Sequence, residues 1–184
     1  IIPDAATNDI TELKELMKIG KRILVLDHHQ MNDENQSTIF YDQNKGLIGV
    51  IVNNQLDEYS TDFSGVGVTY KFLNALTEDE LVHYMDLVAI GNVADSMELN
   101  GYEIRYVVNK GLKNINNELI KEFMIDSKLE GSLTPTDVSF NISNKINAVI
   151  RYGSVEEKTD LFRALIEEKE EIEYTPRKSK TNPN

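Results

Sequence analysis

His28 and His29 stand side by side at the end of an apolar run, Ile23-Leu24-Val25-Leu26, joined to it by Asp27. Four apolar residues bounded by polar groups predict a buried strand. A strand that ends in three ligand-capable side chains delivers them to the carboxyl edge of a sheet, where open α/β folds bind their ligands. Asp4 follows a first apolar segment, Ile1-Ile2-Pro3, in the same relation. As neighbouring βα turns of one sheet, the two segments bring Asp4 and His28 to the same edge. A third candidate is Asp95 in Gly91-Asn92-Val93-Ala94-Asp95, just beyond an apolar segment that ends at Ile90. A carboxylate so close to apolar surroundings is costly to ionise unless a cation or a set of hydrogen bonds compensates it. Two carboxylates and a neutral imidazole form a hard, oxygen-rich donor set that suits Mn²⁺ or Mg²⁺ better than softer metals. Such ions activate water and neutralise phosphate oxygens, so phosphodiester or phosphoanhydride hydrolysis is the natural reaction.

The elements that must position these groups follow from the pattern. Asp9 with Glu12 fits a capping box, Ile10, Leu13, Leu16 and Met17 make a helical apolar stripe, and Gly20 is a natural stop. Strand, helix and strand over the first thirty residues form a β-α-β unit. Short parallel crossovers of this kind imply an α/β fold with a parallel, Rossmann-like, doubly wound sheet flanked by helices. A further strand is expected at 47–52. Beyond it the C-terminal half is mostly helical: a helix over 66–76, then a buried one opened by Thr77 and Glu80 and running to Ile90. Further helices are expected over 102–115, 117–126 and 154–173. Residues 1–152 read as the main domain, 153–174 as a solvent-bathed connecting helix and 175–184 as a flexible polar tail.

Composition bounds the function. The chain of 184 residues has 40% hydrophobic content, enough for a core, and no cysteine, which excludes disulfides and thiolate chemistry. Nothing suggests a membrane span or export, so a cytoplasmic location is expected. The chain opens on an apolar segment without an initiator methionine, and reads as a piece of a longer protein. Its net charge of -12 would repel a polyanion unless cations or a local basic surface intervened.

Four segments, in order, resemble the DHH phosphoesterase superfamily, and within it the RecJ-type single-strand exonucleases of bacteria and phages. Leu26-Asp27-His28-His29 resembles the signature tripeptide, and Pro3-Asp4-Ala5-Ala6-Thr7-Asn8-Asp9 the preceding acidic motif. Gly91 to Asp95 resembles the later Gly-x-x-Ala-Asp motif, and Asn147-Ala148-Val149-Ile150-Arg151 an Asn-Ala-x-x-Arg element. Val52 to Gln55 and Ser64 to Gly67 resemble the same proteins. The resemblance implies a two-metal site in which Asp4 bridges the ions and His28 and Asp95 complete one shell. By the same resemblance Asp27 orients an imidazole, His29 touches substrate phosphate, and Asn147 and Arg151 hold the backbone of single-stranded DNA. It further implies mononucleotides released from the 5′ end. The family's earlier Asp-x-Asp pair and its glycine- and histidine-rich motif have no counterpart in this chain, so the chain alone should hold metal weakly and hydrolyse little.

Other readings stay open. The superfamily also includes phosphoesterases of oligoribonucleotides, cyclic dinucleotides and pyrophosphate, and a scaffold that binds DNA or a replication partner without metals is a third reading. The histidines could merely bond into the scaffold, Asp4 cap a helix, Asp95 accept loop amides and Arg151 be an ordinary surface cation. His83 reads as a core or boundary residue of the buried helix, Gly65 and Gly67 as close-packing positions, and the acidic run at 167–173 as a solvated face.

Overall fold

The computed structural model describes residues 1–33, 36–56, 62–77 and 81–168. Strands β1 (Ile2–Pro3), β2 (Ile23–Asp27), β3 (Ile39–Asp42) and β4 (Gly46–Asn53) form one sheet in the order β1-β2-β4-β3. β1 and β4 pair parallel to β2, and β3 pairs antiparallel with β4 at the edge. The three parallel strands therefore end together, and Asp4, Asp27 and Asn53 sit at or just beyond those ends. The Asp4 amide still donates to the Leu26 carbonyl at 2.8 Å, which fixes the first turn against the second.

Helix α1 (Ile10–Lys18) covers one face of the sheet, and Leu13, Met17, Val25, Phe40 and Ile51 pack there. Gly20, at φ 88°, supplies the left-handed residue that ends the α1 turn, as its position suggests. The expected capping box at its start does not form. Asp9 makes no side-chain cap bond, and Leu16 is largely exposed, so the stripe is narrower than the four-residue pattern.

Helices α2 (Gly65–Leu76), α3 (Met85–Ala94), α4 (Tyr102–Lys113), α5 (Glu118–Asp126), α6 (Pro135–Asp137), α7 (Ser143–Tyr152) and α8 (Val155–Leu165) build the second half. Their core runs from Phe63 through Val88, Ala89, Ile104 and Ile120 to Ile142. Here the boundaries depart from the sequence pattern. Thr77 caps the C-terminal end of α2 instead of opening a helix, and Glu80 lies outside the described residues. The expected helix to Ile90 is split into a 3₁₀ turn, Leu81–Tyr84, and α3. His83 sits on that turn and is exposed, so it is not a core residue. α3 is not apolar all round, because Asp86 and Asn92 are buried within it. The last helix stops at Leu165, with Glu167 left-handed at φ 57°; residues 169–173 and the tail lie outside the described residues.

Candidate metal centre at the carboxyl edge

The strand ends place the candidate ligands. His28 follows β2 directly, Asp4 follows β1, and Asp95 is the residue that closes α3. His28 Nε2 lies 3.2 Å from Asp4 Oδ1 and 3.1 Å from Asp95 Oδ2. The imidazole is largely buried, whereas both carboxylates keep substantial contact with solvent, Asp95 at 45%. Asp95 is therefore not a buried carboxylate; its special feature is its approach to His28 Nε2. A single ring nitrogen carries at most one proton, so it cannot donate to both carboxylates at once. Two negative groups thus meet around one nitrogen, and among the described residues neither is paired with a lysine or an arginine. Neighbouring ligands of an octahedral ion with bonds of about 2.1 Å lie about 3 Å apart, the spacing that His28 Nε2 shows to each carboxylate oxygen. The donor set fits a hard divalent ion.

Both acidic turns are backbone-constrained. Asp4 has φ 58° and Ser96, next to Asp95, φ 57°. Left-handed conformations of this kind are uncommon outside glycine and persist where the surroundings hold them. Gly65, at the start of α2, explains part of the hold on Asp4. A Cβ at that position would come within 2.7 Å of Asp4 Cβ and Cγ and closer still to its carboxylate. Only glycine lets α2 lie against Asp4. The helix is fixed there by Asn92, which has no solvent exposure. Its Oδ1 accepts from the Ser64 amide at 2.8 Å and the Ser64 hydroxyl at 3.1 Å, and its Nδ2 donates to the Val88 carbonyl at 2.8 Å. One side chain of α3, a turn before Asp95, therefore sets the helix that packs on Asp4.

His29 has a different environment. Its Nδ1 lies 2.7 Å from Asp27 Oδ1, and its ring is mostly exposed while Asp27 is 1% exposed. Asp27 also accepts from the Thr7 amide at 3.0 Å and the His28 amide at 2.8 Å. Burial pushes the Asp27 carboxyl up, but bonds from His29, Thr7 and the His28 backbone outweigh it and hold its pKa at about 2. Asp27 is thus ionised and acceptor-only, so the His29 proton sits on Nδ1, which raises the His29 pKa above its ordinary value. Asn53 completes the frame by donating to Thr7 Oγ1 and to the His29 carbonyl, both at 2.9 Å.

Asp4, His28 and His29 also offer ligand atoms within 4.8 Å of one another. That group does not include Asp95, whose oxygen lies close against His28 Nε2; Asp4 and His28 are common to both arrangements, and His29, its Nδ1 committed to Asp27, has Nε2 left as a ligand atom.

The structure brings together Asp4, Asp27, His28, His29 and Asp95. Asn147 and Arg151 lie elsewhere, on exposed positions of α7, and make no hydrogen bond or ion pair with these groups among the described residues. Sequence reasoning assigns no role to Thr7, Asn53, Ser64 or Asn92. Their only sequence signal is position: small polar residues at strand ends, at a helix start and inside an apolar helix.

This arrangement has relatives. YorK of the SPbeta prophage in Bacillus subtilis (strain 168), named as a single-strand DNA-specific exonuclease, is 37% identical over 185 residues, 96% of this chain and 30% of YorK. RecJ of Thermus thermophilus, a single-stranded-DNA-specific exonuclease, is 28% identical over 164 residues. The crystal structure of the Thermus RecJ in complex with Mn²⁺ superimposes with a TM-score of 0.70 and 25% identity, covering 89% of this chain and 24% of RecJ. Over most of its own length the chain is similar to part of RecJ. A second RecJ structure, bound to manganese, shares the fold at a TM-score of 0.65 and covers 90% of this chain and 44% of that one. No family model matches. The chain spans under a third of the length of YorK and 23% of the Thermus RecJ sequence. Among the described residues no helix is long and apolar enough to cross a membrane.

Proposed function

We propose that this chain contributes the strand-end half of a divalent-metal phosphodiesterase centre that degrades single-stranded DNA from the 5′ end. The observation that carries the reading is the meeting of Asp4 Oδ1 and Asp95 Oδ2 at His28 Nε2. Asp4, His28 and Asp95 would hold the ion, Mn²⁺ or Mg²⁺. When bound, such an ion neutralises phosphate oxygens and acidifies water. Asp27 holds the His29 proton on Nδ1 and leaves Nε2 for a phosphate oxygen; with both nitrogens protonated, the ring faces the phosphate as a cation. Arg151 would fork onto the DNA backbone, with Asn147 on the same helix face donating beside it. The names of the relatives, all single-strand DNA exonucleases, support the substrate class.

The test exchanges this chain for the matching segment of YorK and follows digestion of 5′-labelled single strands with Mn²⁺. Mononucleotides should appear with the exchanged protein and vanish with His28→Ala. Unchanged digestion in that variant, or a clear preference for dinucleotides over long strands, would overturn the reading.

A further inference from the structure

One face of the segment around α7 takes no part in the core and carries no acidic group. Val138, Ile142 and Ile146 pack inward. Phe140, Asn144, Asn147 and Arg151 recur at helical spacing on the outward side, and all are exposed, Phe140 at 70%. Asn144 Nδ2 donates to the Phe140 carbonyl at 3.0 Å, which sets those two one turn apart. Phe140 belongs to a π-helical turn, Val138–Ile142, a form that recurs at functional sites. From Val138 to Val155 the sequence has no Asp or Glu, its longest such stretch in a chain of net charge -12. Lys145 is drawn aside to Asp126 and Ser127, which leaves Arg151 as the cation of this face.

We infer that this face is a stacking strip for single-stranded nucleic acid, on which Phe140 receives an unpaired base while Asn147 and Arg151 hold the phosphates. The inference rests on the reading above for its substrate class and adds the residue that selects a single strand. A duplex keeps its bases stacked on one another, so only a single strand can lend a base face to Phe140. An exposed aromatic ring beside a guanidinium and amides, on a segment that itself has no Asp or Glu, is the composition such surfaces use. The helical rise of about 1.5 Å per residue spreads the four side chains over about 16 Å, enough for several nucleotides.

The test is metal-free. The full chain, in chelator and at low salt, is titrated into a labelled oligothymidylate of about twelve nucleotides and followed by anisotropy. Phe140→Ala should weaken binding about five- to a hundredfold, the cost of one lost base–aromatic stack. Phe140→Leu should behave like Ala, and a duplex of equal length should bind no better than the single strand binds Phe140→Ala. The chain has no tryptophan, so Phe140→Trp adds a sole reporter that should retain binding and lose emission as the strand is added. Phe140 is exposed, so these variants should keep the wild-type circular dichroism. No binding by the wild-type chain, equal binding by Phe140→Ala or Phe140→Leu, an unquenched tryptophan, or equal duplex binding would each overturn the strip. Because no metal takes part, a failed digestion in the YorK exchange would leave this result standing, and the reverse holds too.

Discussion

His28 and His29 are neighbours in the chain, yet the regions that hold them are built differently. Around His29, polar side chains of the strand-end half hold one another: Asp27, Thr7 and Asn53 form a closed set within a short span of sheet edge. Around His28, one carboxylate comes from the sheet and the other from α3, so the pair forms only because an apolar helical core docks correctly. The first region is determined by local strand ends and hydrogen bonds. The second depends on packing between halves, mediated by Asn92 and Gly65. Damage to the helical half should therefore reach the His28 cluster and spare the Asp27–His29 pair.

The largest effect should come from Asp86→Ala. This buried carboxylate accepts from the Leu87, Asn116 and Asn117 amides at 2.7–2.8 Å and ties the start of α3 to α5. Its removal leaves buried amides unpaired and should cost on the order of 3 kcal/mol in urea unfolding. A loss below about 0.5 kcal/mol would mean that the helical half does not rely on this tie.

A second comparison uses pH. The Asp27 pKa is lowered from 3.8 to about 2, so its contribution to stability is complete above the unfolded value and fades as pH falls from about 5 toward 2. Unfolding free energy should drop by about 1 to 2 kcal/mol over that window, after allowance for nearby solvent, and Asp27→Asn should flatten this part of the profile. An identical profile in the variant would show that Asp27 does not hold the strand-end network.

The smallest effect on stability, and the most selective on the site, is expected from Gly65→Ala. The new methyl group must push the Asp4 carboxylate aside, since the helix behind it is fixed by Asn92. Mn²⁺ affinity should fall about tenfold, and the clash with Asp4 Cβ should lower stability by about 1 kcal/mol. Unaltered affinity would separate Asp4 from the ion.

Much of this is legible in sequence where the signal is local. The strand ending at Asp27, the stop at Gly20 and the turn at Asp4 are written in short runs of apolar and polar residues. The edge strand β3 escapes such a reading because Ile39–Asp42 is short and follows a polar loop. The split of the 77–90 helix escapes it because Leu81–Tyr84 and α3 share an apolar composition. The helix carrying Asn147 and Arg151 is visible as a motif but not as an element, since its mix of asparagine and isoleucine lacks a strong period. Of the site, the ligand types are readable. The supports are not, because Asn92 acts through residues nearly thirty positions away and only the fold brings them together.

The central claim is that Asp4, His28 and Asp95 share one divalent ion, and Mn²⁺ titration of the chain followed by electron paramagnetic resonance tests it most directly. Weak but saturable binding is expected, lost in His28→Ala and reduced at least tenfold in Asp4→Asn and in Asp95→Asn. Binding that is the same in all three variants as in the wild-type chain would contradict it.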